Sequence, residues 1–297
     1  MTEAPRYGAT GSGEAPVCPR HPDRVSYVRC QRCNRPVCPE CQRPAAVGVV
    51  CVDCARQASA KQPRVKRTTA STPVVTYTVI AICVVAYVAQ LAFSGFQTQF
   101  VYYAPLIPEE MWRLLTSGFL HDSHDVISIH LVMNMLSLWF LGRVLEPHLG
   151  RWRFASVFLL GVIGGNAAMG LLNWSSPALG ASGGIFALGG ALLIALRKDR
   201  SNLISMAVIL GINFAYGFMR SGIAWEAHLG GLVVGVLLGL IYEIGHRKAL
   251  VSPAGAKSVG TIHLVVTLVL LVALVGLGYY GGEQATDEYY RYYYGVG

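Results

Sequence analysis

The segment VVTYTVIAICVVAYVAQLAF, residues 74–93, is free of charge from end to end. A helix needs about 20 mostly apolar residues to cross a bilayer, so this segment reads as a membrane span. It sits inside a longer charge-free run, 68–108, and similar runs follow at 126–142, 154–196, 201–219, 227–242 and 258–282. The run 154–196 is long enough for two spans and is broken at Asn173-Trp174-Ser175-Ser176-Pro177, a turn-forming cluster. Seven spans result, and the fold class is an all-α polytopic membrane protein.

Composition agrees. Of 297 residues, 53% are hydrophobic and 13% charged, with mean hydropathy +0.45. That is about half the charge of a soluble domain and excludes a disordered chain. The net charge of +8 is unevenly placed: residues 1–67 hold 12 of the 24 Lys and Arg against 5 of the 16 acids. A small basic head therefore precedes a nearly neutral apolar body. Lys and Arg are retained on the cytoplasmic side of a membrane. With the N-terminus inside, the inner segments carry Lys61, Arg64, Lys66, Arg67, Arg143, Arg151, Arg153, Arg197, Lys198, Arg200, Arg247, Lys248 and Lys257. The outer loops keep only Arg113, Arg220 and Arg291 among eight acids. The expected orientation is N-terminus cytoplasmic and C-terminus outside, in the plasma membrane. Residues 1–17 lack the apolar core of a secretory signal.

Seven of the eight cysteines lie in the head, as Cys18-x2-His21, Cys30-x2-Cys33, Cys38-x2-Cys41 and Cys51-x2-Cys54. A two-residue gap lets both side chains of a pair reach one ion, and four such ligands close a tetrahedral zinc site. Eight ligands make two structural Zn2+ sites, with no open position for a catalytic water. A disulfide framework is the rival reading of such a cysteine set, and a reducing cytoplasm argues against it. The spacing leaves open whether successive or alternating pairs share a metal. Cys83, the eighth, falls inside the first span as a small apolar residue. Arginines scattered among the pairs do not make a nucleic-acid surface, so a cytoplasmic protein partner is preferred and no nucleic acid is expected.

Polar residues inside spans are costly and mark function by default. His130 and Asn134 are four apart on one face of the second span. The fourth opens with Gly180-Ala181-Ser182-Gly183, and the sixth contains Ala227-His228-Leu229-Gly230-Gly231. These three spans run in the same direction, and His130, Ser182 and His228 all lie near their starts. At 1.5 Å per residue the three side chains share one shallow layer. Gly231, Gly235 and Gly239 repeat every four residues behind His228, a face that permits close helix approach. Such an approach would bring a serine hydroxyl to an imidazole, the requirement for an activated nucleophile. A hydroxyl bonded to a neighbouring carbonyl, or a histidine proton relay of a transporter, would use the same residues singly.

These motifs, with Trp112-Arg113 in a long first loop at 94–125, resemble the rhomboid family of intramembrane serine proteases. The resemblance covers the six-helix core, with a seventh C-terminal span as some members carry. It implies Ser182 as nucleophile and His228 as general base, without a third carboxylate. The Ser182 backbone N–H, His130 and Asn134 would form the oxyanion hole, flanked by Gly180 and Gly183, with Phe186 packed on His228. It implies substrates that are transmembrane helices of other proteins, entering from the lipid bilayer and cleaved near their outer end. A catalytically silent helix-binding scaffold is the alternative. Trp112-Arg113 would stiffen the first loop, Asp122–Asp125 looks like a polar insertion, and Arg220-Ser221-Gly222 a mobile cap. The order of the head's pairs resembles B-box and RING-like fingers. That would join Cys18 and His21 with Cys38 and Cys41, and Cys30 and Cys33 with Cys51 and Cys54. The expected organisation is then a disordered N-terminus at 1–16, a zinc-binding finger domain at 17–56 and a basic linker at 57–72. The core follows at 73–245, a cytoplasmic linker at 246–260, the seventh span at 261–281 and an exposed, Tyr-rich tail at 282–297.

Overall fold

A computed structural model describes residues 15–45, 47–61, 72–123, 128–219, 222–249 and 253–295. The chain divides into two compact units, Met1–Thr69 and Ala70–Gly297. Residues 1–14 of the expected disordered stretch, most of the basic linker, Asp125 and the pair Arg220-Ser221 lie outside the described residues.

In the first unit two small antiparallel ladders surround the cysteines. β1 (Val17–Cys18) pairs with β2 (His21–Val25), and β3 (Gln42–Pro44) pairs with β4 (Val49–Cys51). Helix α1 (Val52–Lys61) follows directly, so the finger unit continues past residue 56 into what reads as linker. Cys18, Cys30, Cys38, Cys41, Cys51 and Cys54 with Val37 are its core. So few apolar residues cannot offset the entropy of ordering a chain this short.

The second unit is helical. Its long helices are α2 (Val74–Ala92), α5 (Ile129–Leu149), α6 (Arg151–Leu172), α7 (Ser182–Leu196), α8 (Arg200–Met219), α9 (Trp225–Ala249) and α10 (Pro253–Tyr294). The short α3 (Phe96–Phe100) and α4 (Arg113–Thr116) sit in the first loop. Six of the seven long helices are long and apolar enough to cross a membrane. The fourth, α7, has only 15 residues, short of the full span that the sequence suggests. It is about 22 Å long against a hydrocarbon core of about 30 Å. It can be short because it is sheathed: every residue from Gly183 to Leu192 is buried, with α6 and α9 packed on it. α2, by contrast, buries one stripe (Thr76, Val79, Cys83, Tyr87), half-buries its flanks and exposes the opposite face, as a lipid-facing helix does.

Glycines set the distance between α7 and α9. A Cβ on Gly231 or Gly235 would run into the carbonyl groups of Gly183 and Ala187. The helix axes therefore approach to backbone contact, which dispersion rewards where lipid offers no hydrophobic gain. α2 lacks a side-chain cap at Pro73; the buried carboxylate of Glu146 accepts from the Val75 and Thr76 N–H at 2.9 and 2.8 Å and from the Thr76 hydroxyl at 2.7 Å. Two orphan donors of the helix start are satisfied there by a residue 70 positions away.

α10 exceeds the span read at 261–281 at both ends. It occupies part of the expected linker and continues through the expected tail to Tyr294. After Gly282 no glycine or proline interrupts it, and the pairs Tyr289–Tyr293 and Tyr290–Tyr294 stack one turn apart, with centroids at 4.7 and 5.7 Å. Such i,i+4 pairs favour continued helix.

Candidate active site

Ser182 is the first residue of α7, and the helix's first intrahelical bond runs from the Ile185 N–H to the Ala181 carbonyl. The N–H groups of Ser182 and the next residues thus have no acceptor within the helix, and the dipole is positive there. His228 stands in the first turn of α9, one turn before Gly231. Close packing of the two helices sets His228 Nε2 3.0 Å from Ser182 Oγ. Phe186, one turn into α7, stacks on the His228 ring with centroids 4.3 Å apart and planes 12° from parallel. The other ring nitrogen, Nδ1, is buried and has no hydrogen-bond partner among the described residues. The imidazole is oriented by stacking rather than by a carboxylate.

His130 opens the opposite wall from α5. Its Nδ1 accepts the Asp122 N–H at 3.4 Å, so the neutral ring carries its proton on Nε2. That Nε2 borders Gly180: a Cβ there would lie 3.0 Å from it and 3.7 Å from Ser182 Oγ. Gly180 has φ +126°, a conformation other residues rarely adopt, so the slot between His130 and Ser182 depends on glycine twice over. Gly183 faces the Gly161 carbonyl and serves the α6–α7 contact rather than the slot. Asn134 is buried one turn below His130. Its Nδ2 donates to the His130 carbonyl at 2.8 Å, and its Oδ1 is buried without a donor. The structure therefore brings Ser182, His228, His130 and Gly180 around one space, with the Asn134 Nδ2 engaged by the His130 carbonyl.

Several supporting residues are absent from the sequence reading. The Gly180 N–H donates to the Ser117 carbonyl at 3.0 Å, and Tyr102 and Ala178 exchange two backbone bonds of 3.0 Å. Both tie the first loop to the segment that leads into Ser182. Asn166 of α6 donates to the Leu114 carbonyl and to Ser117 Oγ at 2.9 and 2.8 Å. Asn166 is a polar residue within an apolar run, so the intramembrane-polar criterion detects it; the backbone ties carry no such signal. Arg113 supports the same loop through Glu110 and the Thr98 and Val101 carbonyls, while Trp112 is half exposed.

A family model, the Rhomboid domain, matches residues 108–244, from the first loop to the end of α9's apolar part. Residues 108–244 are a rhomboid domain. The rhomboid segment is similar to Rhomboid protease GluP of Bacillus subtilis, 34% identical over 185 residues, 60% of this chain and 33% of that protein. It is similar to RHOMBOID-like protein 1 of Arabidopsis thaliana, 33% identical over 55% of this chain and 46% of that protein. Rhomboid protease GlpG of Salmonella paratyphi A is 27% identical over 59% of this chain and 65% of that protein. The chain thus spans between a third and two thirds of the length of these relatives. Its rhomboid core is that of an intramembrane protease family.

In the head, the ligand atoms form two tetrads, Cys18, His21, Cys38 and Cys41, and Cys30, Cys33, Cys51 and Cys54. Within each, all four atoms lie within 4.8 Å of one another. The pairs alternate, as the resemblance to RING-like fingers implies. Cys33 and Cys51 sulfurs are 3.7 Å apart, and His21 Nδ1 is 3.2 and 3.4 Å from the Cys38 and Cys41 sulfurs. These are tetrahedral edges for an ion bonded at about 2.3 Å to sulfur and about 2.0 Å to nitrogen. His21 turns its other nitrogen to Glu40, 3.9 Å away, as metal-bound histidines commonly do. Backbone N–H groups of Cys51 and Arg32 point at Cys30 Sγ, at 3.1 and 3.4 Å. The Cys38 backbone N–H, with smaller help from neighbours, brings the Cys18 thiol down to about 6. Burial opposes this for Cys30, yet its N–H donors also bring it to about 6. Burial and the neighbouring thiols push Cys41 up to about 11, and Cys51 with burial pushes Cys54 up to about 12. Such crowded sulfurs all ionise together only around a cation, and the donor set fits zinc.

Proposed function

We propose that the chain is an intramembrane serine endopeptidase acting through a Ser182–His228 dyad. The observation that carries this reading is the 3.0 Å approach of His228 Nε2 to a serine hydroxyl at a helix N-terminus. Oγ attacks a substrate carbonyl as Nε2 takes its proton, giving a tetrahedral oxyanion. The Ser182 N–H, with the α7 dipole behind it, and His130 Nε2–H would receive the negative charge. Asn134 would contribute Nδ2 once it leaves the His130 carbonyl. His228 then returns the proton to the departing amine, and water hydrolyses the acyl-enzyme by the same route reversed.

Water has to reach a site inside hydrocarbon, and the short α7 supports a route. If its Leu196 end lies at one hydrocarbon edge, Ser182 lies about 8 Å beneath the other. Ser182 and His130 are both half-buried, which suits a polar cavity open to that surface. The substrates would be transmembrane helices of other proteins, cut near the end that lies at this depth. Loop charges support placing the site on the outer side of the plasma membrane, N-terminus inside. The head would hold two structural Zn2+ and dock a cytoplasmic protein.

A serine-directed fluorophosphonate should label the wild-type protein in proteoliposomes and leave Ser182→Ala unlabelled, with cleavage of a model transmembrane substrate lost in parallel. Equal labelling of both proteins, or cleavage by the alanine variant, overturns the assignment. Two zinc per chain is the expected elemental analysis.

A further inference from the structure

The seventh long helix does not stop where the neighbouring helices do. α10 has 42 residues, about 63 Å, twice the hydrocarbon thickness. Gly281 meets the backbone of Gly170 near the end of α6, which marks the level at which the bundle ends. The twelve residues from Glu283 to Tyr294 carry the helix about 18 Å beyond it. This projection is two-faced. Gly281, Gly282 and Ala285 are buried and Thr286 is half-buried, one stripe at helical spacing, while Glu283, Asp287 and Glu288 face outward.

The stripe lies on the first loop. A Cβ at Gly282 would come 2.8 Å from Ile107 Cβ, 3.0 Å from Pro108 Cδ and 3.2 Å from the Ala104 carbonyl, none of which is a flexible side-chain end. Thr286 Oγ1 lies 2.9 Å from the Pro105 carbonyl of the loop and 2.9 Å from the Gly282 carbonyl one turn back, so its one proton is shared between them. The far side of the same loop holds the segment before the nucleophile, through the Tyr102–Ala178 pair and the bond from the Gly180 N–H to Ser117. Gly180 is two residues from Ser182 and forms the floor of the slot beside His130.

We propose that the projecting end of α10 is a positioning element for the catalytic slot, acting through the first loop with Gly282 and Thr286 as its contact residues. The Rhomboid domain match ends at residue 244, so the element lies outside the matched core. The proposal rests on the protease reading for its kinetic consequence, while its structural content stands apart from it. A loop held from one side only can shift Gly180, and a shift of 1 Å at a catalytic site can cost up to about a hundredfold in rate.

The test compares Gly282→Val, Thr286→Val and Thr286→Ser in the full-length chain reconstituted in proteoliposomes. It reads kcat and KM for a model transmembrane substrate, together with amide hydrogen exchange of peptides covering 101–118 and 177–182. Gly282→Val should lower kcat about tenfold with KM within twofold of wild type, and both peptides should exchange faster. Thr286→Val keeps shape, loses the bond to Pro105, and should move the same readouts by about threefold; Thr286→Ser should restore them. Should Gly282→Val fail to fold, the Thr286 pair decides the matter. Unchanged exchange and kcat in Thr286→Val overturn the proposal, as does a loss that falls on KM alone. If the wild type cleaves nothing, the protease reading fails, and the exchange arm still decides whether α10 holds the loop.

Discussion

Replacing Gly231 by alanine tests whether backbone contact between α7 and α9 sets the dyad. The added Cβ would lie 2.8 Å from the Gly183 carbonyl carbon and 3.1 Å from its Cα, with the carbonyl oxygen closer still. Ordinary van der Waals contact begins near 3.4 Å. Backbone on both sides cannot rotate away, so the helices must part by at least about 0.6 Å. Gly231 is one turn from His228 and Gly183 is next to Ser182, so the displacement falls on the dyad itself. The 3.0 Å bond would stretch to about 3.6 Å, past hydrogen-bond range. Loss of this alignment should cost about a hundredfold in kcat. Cleavage of a model transmembrane substrate in proteoliposomes and fluorophosphonate labelling rates both report it. Gly211→Ala on α8 is the control, because a Cβ there meets nothing within 4 Å. A Gly231→Ala protein that cleaves within threefold of wild type, with Gly211→Ala also unaffected, would refute the reasoning.

Phe186→Ala removes the ring stacked on His228 and should reduce kcat about tenfold at little cost in KM, while Phe186→Tyr keeps the ring and the rate. Steady-state kinetics of the two variants check this. Glu146→Ala leaves the Val75 and Thr76 N–H donors unpaired and should destabilise the membrane unit by about 3 kcal/mol, read from denaturant unfolding in detergent. Cys33→Ser removes one ligand of one tetrad, so elemental analysis should fall from two zinc per chain towards one. Chelation of the wild-type metal should unfold the head by circular dichroism and leave fluorophosphonate labelling of Ser182 unchanged.

The fold class was legible because a bilayer imposes a length and an absence of charge on every helix that crosses it, and both are written locally. The candidate-site residues were legible for a related reason. Serine, histidine and asparagine are conspicuous in apolar runs, and helical rise converts their positions into depths. The same arithmetic counted α7 as a full span, since run length measures the apolar stretch and not where the helix begins; Ala178–Ala181 is apolar yet belongs to the loop that enters the site. The tail's tyrosines and charges are mostly exposed, as the sequence suggests, but the buried stripe from Gly281 to Thr286 has meaning only beside the first loop.

Local pattern therefore determined that this chain is a helical membrane protein with two four-ligand clusters and a small set of intramembrane polar residues. Tertiary structure alone decided which pairs share each cluster, which atom of each side chain faces which partner, and that the Asn134 amide bonds the His130 carbonyl. It also decided that Glu146 caps a helix far away in sequence and that α10 reaches the loop beside Ser182. These are contacts between segments distant along the chain, and residue spacing encodes direction and depth but not the neighbour on the other side.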